Sequence, residues 1–160
     1  MQESEHGHGI TEGVIDATEL HGPPAKKLAI LTCMDARIDL DALFALKLGD
    51  AHVIRNAGGI ATGDTIRSLA ASQRLLGTEE IVVVQHTDCG VHNMSPEDFV
   101  DLIERETGAR PDWDAEATGE PQTTLTMSLK RLRSAPELLH RDRISGHVLD
   151  LKSGKLLDPA

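Results

Sequence analysis

Positive charge, aromatic residues, cysteine and long apolar runs are all scarce in this 160-residue sequence, and each shortage narrows what the chain can do. Lys and Arg number 16 against 26 Asp and Glu, for a net charge of −10, and aromatic residues make up 2%. A phosphate backbone is held by clustered basic side chains, so nucleic acid is excluded as the expected partner. No apolar run approaches the roughly 20 residues that span a bilayer, and no basic segment leads into a short apolar one as in an export signal. The expectation is a soluble, cytoplasmic protein with no membrane association. Neither Gly-x-Gly-x-x-Gly nor a Walker pattern occurs, which argues against nucleotide binding. Only two cysteines are present, Cys33 and Cys89. They could pair as a disulfide. In a chain without an export signal, two thiols at strand ends beside a histidine read better as metal ligands.

What is present is an alternation of strand and helix patterns. Residues 1–24 are polar, with His6, His8 and His21 and a Gly-Pro-Pro at 22–24, and read as an N-terminal arm, either flexible or packed on a partner. Residues 13–20 have the pattern of a short amphipathic helix, stopped by Pro23-Pro24. Residues 25–160 read as one α/β domain. Strands are expected at 28–32, 52–55, 80–85 and 144–151, with a turn at Ser153-Gly154 into 155–157. The third is nearly all β-branched and therefore covered on both faces. Helices are expected from Asp39 as cap through Leu48, from Thr62 to Leu76, from the Ser95-Pro96 start to Glu106, and at 122–134. Residues 107–121 read as a surface loop. This alternation with short connections gives a mainly parallel sheet flanked by helices.

The chemistry gathers at two strand ends. Cys33-Met34-Asp35-Ala36-Arg37 follows the first strand, and His86-Thr87-Asp88-Cys89-Gly90 follows the strand containing Ile81–Val84. In an open parallel sheet the carboxyl ends of neighbouring strands share one crevice. Cys33, His86 and Cys89 would there supply two thiolates and an imidazole, a donor set suited to Zn²⁺, with one position left over for water. A structural zinc site would want a closed set of four ligands. Asp35 and Arg37 are spaced to point into the same crevice, where the guanidinium can fork onto the carboxylate. With the pair intact, water takes the free position; with it broken, Asp35 itself can become the fourth metal ligand and close the site. Two thiolates cancel the charge of Zn²⁺, so the bound-water pKa is expected at or above about 7, with activity rising with pH. Gly58 and Gly59 follow the second strand and are read as allowing close backbone approach to the site. Arg55 and Asn56 are either turn residues or pocket walls.

These residues resemble the β-class carbonic anhydrases. The family shows Cys-x-Asp-x-Arg (here Cys33, Asp35, Arg37), Arg-Asn-Ala-Gly (Arg55 to Gly58), His-x-x-Cys-Gly (His86, Cys89, Gly90) and a late Gly-x-Val/Leu-x-Asp (Gly146 to Asp150), in this order. The length and wording resemble compact prokaryotic members. The resemblance implies Zn²⁺ on Cys33, His86 and Cys89, a catalytic Asp35–Arg37 dyad, and reversible hydration of CO₂ to bicarbonate and a proton by zinc-bound hydroxide. It also implies a homodimer or higher homo-oligomer with the substrate pocket at the subunit interface; Gly58, Gly59 and Gly90 are read as substrate-pocket residues. Three positions depart from plant-type members: Pro24 in place of a glutamine, and His52 and Ala71 in place of pocket aromatics. Gln85 stands where glycine is common, and His52 or His92 is a candidate proton shuttle. The alternatives are hydrolysis of carbonyl sulfide or carbon disulfide on the same site, or a non-catalytic zinc or redox-sensing module built on Cys33 and Cys89.

Overall fold

The computed structural model describes residues 15–92, 94–116 and 118–157. Five strands form one sheet: β1 (Leu28–Cys33), β2 (Ala51–Asn56), β3 (Glu80–His86), β4 (Ile144–Asp150) and β5 (Lys155–Leu157). Their spatial order is β2-β1-β3-β4-β5, with every pair parallel except β4–β5. This is the mainly parallel α/β sheet expected from the sequence. From β1 the chain steps outward to β2, then crosses back to lay β3 on the other side of β1. The winding therefore reverses between β1 and β3, and it is outside the carboxyl ends of such a pair that open α/β sheets bind ligands.

Two apolar layers cover the sheet. On one face Ala29, Leu31, Ile81 and Val83 pack with Leu69 of helix α2 (Gly63–Leu76) and Leu125, Leu129 and Leu132 of helix α4 (Pro121–Ser134). On the other, Ile30, Val82, Val84 and Leu149 pack with Ile38 and with Leu40 of helix α1 (Leu40–Phe44). Alternation of the two sets along β1 and β3 follows from the two-residue repeat of a strand. Helix α4 lies close to β4 because Gly146 has no side chain; a Cβ there would stand 2.5 Å from a methyl of Leu125. Helix α3 (Pro96–Thr107) begins at a Ser95 cap and has no buried residue.

Two local expectations are corrected. Helix α1 stops at Phe44 rather than Leu48. Ala45 takes a left-handed conformation (φ 49°), and Asp50 accepts from the Lys47 amide in a tight turn that leads straight into β2. Leu40 is buried with Leu43, Phe44 and Leu46 packed beside it, and Leu48, past the turn, is left exposed. The expected helix at 13–20 is not formed over its described part: residues 15–20 contain only a turn, closed by Leu20 N–H donating to the Ala17 carbonyl. Residues 1–14, including His6 and His8, lie outside the described residues.

Candidate metal centre

The register of the sheet places the donors. Thr32 of β1 is level with Val84 of β3, so Cys33 and His86 emerge within two residues of the same height on adjacent strands. Just past β3, a turn with Asp88 in a left-handed conformation (φ 54°) brings Cys89 back toward them. The donor atoms of Cys33, His86 and Cys89 all lie within 4.8 Å of one another.

Three observations fit this trio to a tetrahedral metal. The two sulfurs stand 3.9 Å apart. Sulfurs each about 2.3 Å from a tetrahedral zinc are separated by about 3.8 Å, whereas a disulfide would need about 2.05 Å. The His86 ring donates from Nδ1 to the Thr87 carbonyl (2.9 Å), which fixes the tautomer and leaves a lone pair on Nε2. That Nε2 is buried and makes no hydrogen bond, an orphaned acceptor of the kind a metal satisfies. Beside it, Asp35 brings Oδ2 to 3.9 Å from Nε2.

The thiols differ in their readiness to ionise. Burial opposes ionisation of Cys33, but its interaction with His86 and the backbone amides of Asp35 and Gly58 outweigh that cost and bring the thiol down to about 7. Conversely, contact with Cys33 raises His86 despite its burial. Burial pushes the Cys89 thiol up, and the nearby Cys33 adds to the effect.

Asp35 and Arg37 form a forked ion pair. Arg37 donates from Nε to Oδ1 (3.0 Å) and from Nη2 to Oδ2 (2.7 Å), and its backbone amide donates to Oδ1 at 2.9 Å. Those bonds hold the Asp35 carboxyl well below the usual carboxylate range. Arg37 also reaches across to Asp88, 51 residues away, through Nη1 to Oδ2 (2.9 Å) and Nη2 to the Asp88 carbonyl (2.8 Å). Arg55 donates to the carbonyls of Ile38 (2.7 Å) and Asp35 (3.3 Å) and so ties the Cys33–Ile38 loop to β2. Asn56 closes its own loop, bonding both backbone groups of Ile60. Arg55 and Asn56 are thus loop tethers. Their long side chains and tight turn neighbours hinted at this without distinguishing it from a pocket wall.

Gly59 (φ 60°) presses against the backbone of β1: a Cβ would meet Cys33 N at 2.7 Å and Thr32 C at 2.9 Å. Its carbonyl accepts from Gln85 at 2.7 Å, which gives that buried side chain its place. Gly58 is buried beside Thr118, and Gly90 is exposed with no atom within 4 Å of its would-be Cβ. A cleft of about 400 Å³ opens between Ile60–Ala61 and α4, bordered by Glu116 and Arg131; none of the three glycines lines it. His52 is held by Ser72 (2.8 Å) and the Gly22 carbonyl (3.2 Å), both ring nitrogens being engaged away from the centre. His92 bonds the exposed carboxylate of Glu120 at 3.2 Å.

A family model described as carbonic anhydrase matches residues 28–156. The chain is 46% identical to β-carbonic anhydrase 1 of Mycobacterium tuberculosis over 134 residues, which span 84% of this chain and 82% of that one. It superimposes on the solved carbonic anhydrase of Glaciozyma antarctica with a TM-score of 0.83 at 36% identity, covering 91% of this chain and 88% of the other. It is also 48% identical, over 69 residues, to the carbon disulfide hydrolase of Saccharolobus solfataricus, covering 43% of this chain and 34% of that protein.

Proposed function

The chain belongs to the β-class carbonic anhydrase family, and we propose that the Cys33–His86–Cys89 centre, loaded with zinc, interconverts carbon dioxide and bicarbonate. The observation that carries this is the pairing of a metal-length sulfur spacing with an orphaned, tautomer-fixed imidazole nitrogen. Zinc held by this donor set supplies water acidified into a nucleophile strong enough for the carbon of CO₂. The overall reaction is CO₂ and water giving bicarbonate and a proton, with no redox change.

Around that chemistry the protein contributes orientation. Asp35 is kept ionised and oriented by Arg37. Its free lone pairs can accept a hydrogen bond from the attacking water and aim it at substrate. Gly58 and Gly59 keep the wall beside Cys33 thin, and Gly90 leaves the turn after Cys89 open.

Metal analysis with stopped-flow CO₂ hydration tests the assignment. The protein should contain one zinc per chain and turn over CO₂, and Cys33→Ser should lose both metal and turnover. Full zinc occupancy without CO₂ turnover from pH 6.5 to about 9 would refute it. A second reading rests on the partial identity to a carbon disulfide hydrolase. Carbon disulfide is likewise a linear electrophile, so hydrogen sulfide release from it by the same preparation measures how far the pocket admits sulfur analogues.

The protein is further read as a cytoplasmic homodimer, since its ligands work as reduced thiols and β2 is an exposed edge with Val53 46% accessible. Residues 25–160 form the catalytic domain in this reading, and residues 1–24 an arm toward the partner subunit.

A further inference from the structure

We propose that Asp88 is a positioning residue: by holding Arg37 from the His86–Cys89 loop, across from the Cys33 loop that carries Asp35, it keeps Asp35 paired and the fourth position of the centre free for water. The inference deepens the metal reading above and rests on it. Arg37 bridges the two ligand-bearing loops, gripping Asp35 on the first and both the carboxylate and the carbonyl of Asp88 on the second. Four of its five N–H groups are thereby used. The arrangement exists because Asp88 adopts φ 54°, a conformation most side chains avoid and Asp and Asn tolerate. That turn both delivers Cys89 to the centre and points the Asp88 carbonyl and carboxylate at the guanidinium.

The energetic consequence follows from order. The Arg37 side chain is half exposed and long, so fixing its rotamers for Asp35 alone offsets part of what the pair returns. With Asp88 already holding the guanidinium, the forked bond to Asp35 forms on a preset group. Asp35 then leaves for the metal less often. The Asp88 side chain is itself 82% exposed, so its share is a modest one.

The test uses Asp88→Asn, which keeps the left-handed turn and the carbonyl contact and removes only the charge. Cobalt(II) replaces zinc as a visible reporter, and azide serves as a probe for the free position. Apparent azide affinity falls in proportion to the open fraction, so Asp88→Asn should bind azide about two- to fivefold more weakly than wild type. In an Asp35→Asn background, where no carboxylate is available to close the site, the same substitution should have no effect. Unchanged azide affinity in Asp88→Asn, or an equal loss in both backgrounds, overturns the role through Asp35. A wild-type protein that takes up no cobalt, with no thiolate-to-cobalt absorption, overturns the metal reading itself, and is recognisable as such because it fails before any variant is compared.

Discussion

Loading the centre with metal is an exchange of protons, and the three donors give theirs up at different pH. Cys89, raised by burial, carries its proton throughout the neutral range and must release it whenever metal binds. Cys33 at about 7 adds a second release below that value, and His86, raised through Cys33, must give up any proton it holds on Nε2 before that lone pair can bind. Metal competes with protons, so affinity falls as pH falls. The slope should be at least about tenfold per pH unit above pH 7, from the Cys89 proton, and steeper below it, where Cys33 adds its own. Chelator competition between pH 6 and 8.5 measures this, and a pH-independent affinity would mean the thiols are not the ligands. The trio was legible in the sequence because its chemistry is carried by residue type and by position after apolar runs. Asp88 and Arg55 were not. Their contacts to Arg37 and to the Ile38 carbonyl span 51 and 17 residues, and depend on a left-handed turn and a strand register that no local pattern announces.

Secondary-structure elements act on the centre through the backbone they bring near it. Strands β1 and β3 and helices α2 to α4 could be read from β-branched runs, capping residues and the helical apolar repeat, all local signals. The premature end of α1 could not, because its periodic residues continue to Leu48 while the turn held by Asp50 cuts the helix short. The 3-10 turn Ala57–Gly59 after β2 is the most consequential connection, since Gly59 lies against the very peptide that carries Cys33. Gly59→Ala combines a left-handed backbone with contacts of 2.7 and 2.9 Å to main-chain atoms that cannot rotate away. The expected loss is about 2–4 kcal/mol of stability, together with weakened metal binding as Cys33 is displaced. Gly154→Ala is the matched control: its φ is 70°, but a Cβ there meets nothing within 4 Å. It should cost only the conformational part, about 1–2 kcal/mol, and leave metal affinity intact. Urea denaturation of the two variants with unchanged m-values separates the steric from the conformational share; equal losses would show that Gly59 is not packed on β1 as described.

At the scale of the molecule, the sheet is finished at one side and open at the other. β5 ends it antiparallel to β4, in three residues, and a short edge strand resists further pairing. β2 is six residues long, pairs among the described residues only with β1, and leaves Val53 half exposed beside a groove of about 450 Å³ between β2 and α2, lined by His52, Ile54, Ala71 and Leu76. A regular edge with apolar side chains and no local bulge is a template for another strand, and across a two-fold axis the available strand is β2 of a second copy. With a net charge of −10 on each chain, long-range repulsion disfavours association, so such a contact would have to draw its stability from apolar burial and backbone pairing. Placing a carboxylate at that edge should tip the balance: near a two-fold axis Val53→Glu puts two like charges against each other while removing apolar contact. Sedimentation of the wild type at about 10 µM is expected to give a dimer whose melting temperature rises with concentration. Val53→Glu should sediment as a monomer whose melting temperature does not. A variant that stays dimeric with an undiminished sedimentation coefficient would place the interface on another face, and a monomeric wild type would remove the dimer from the functional account altogether.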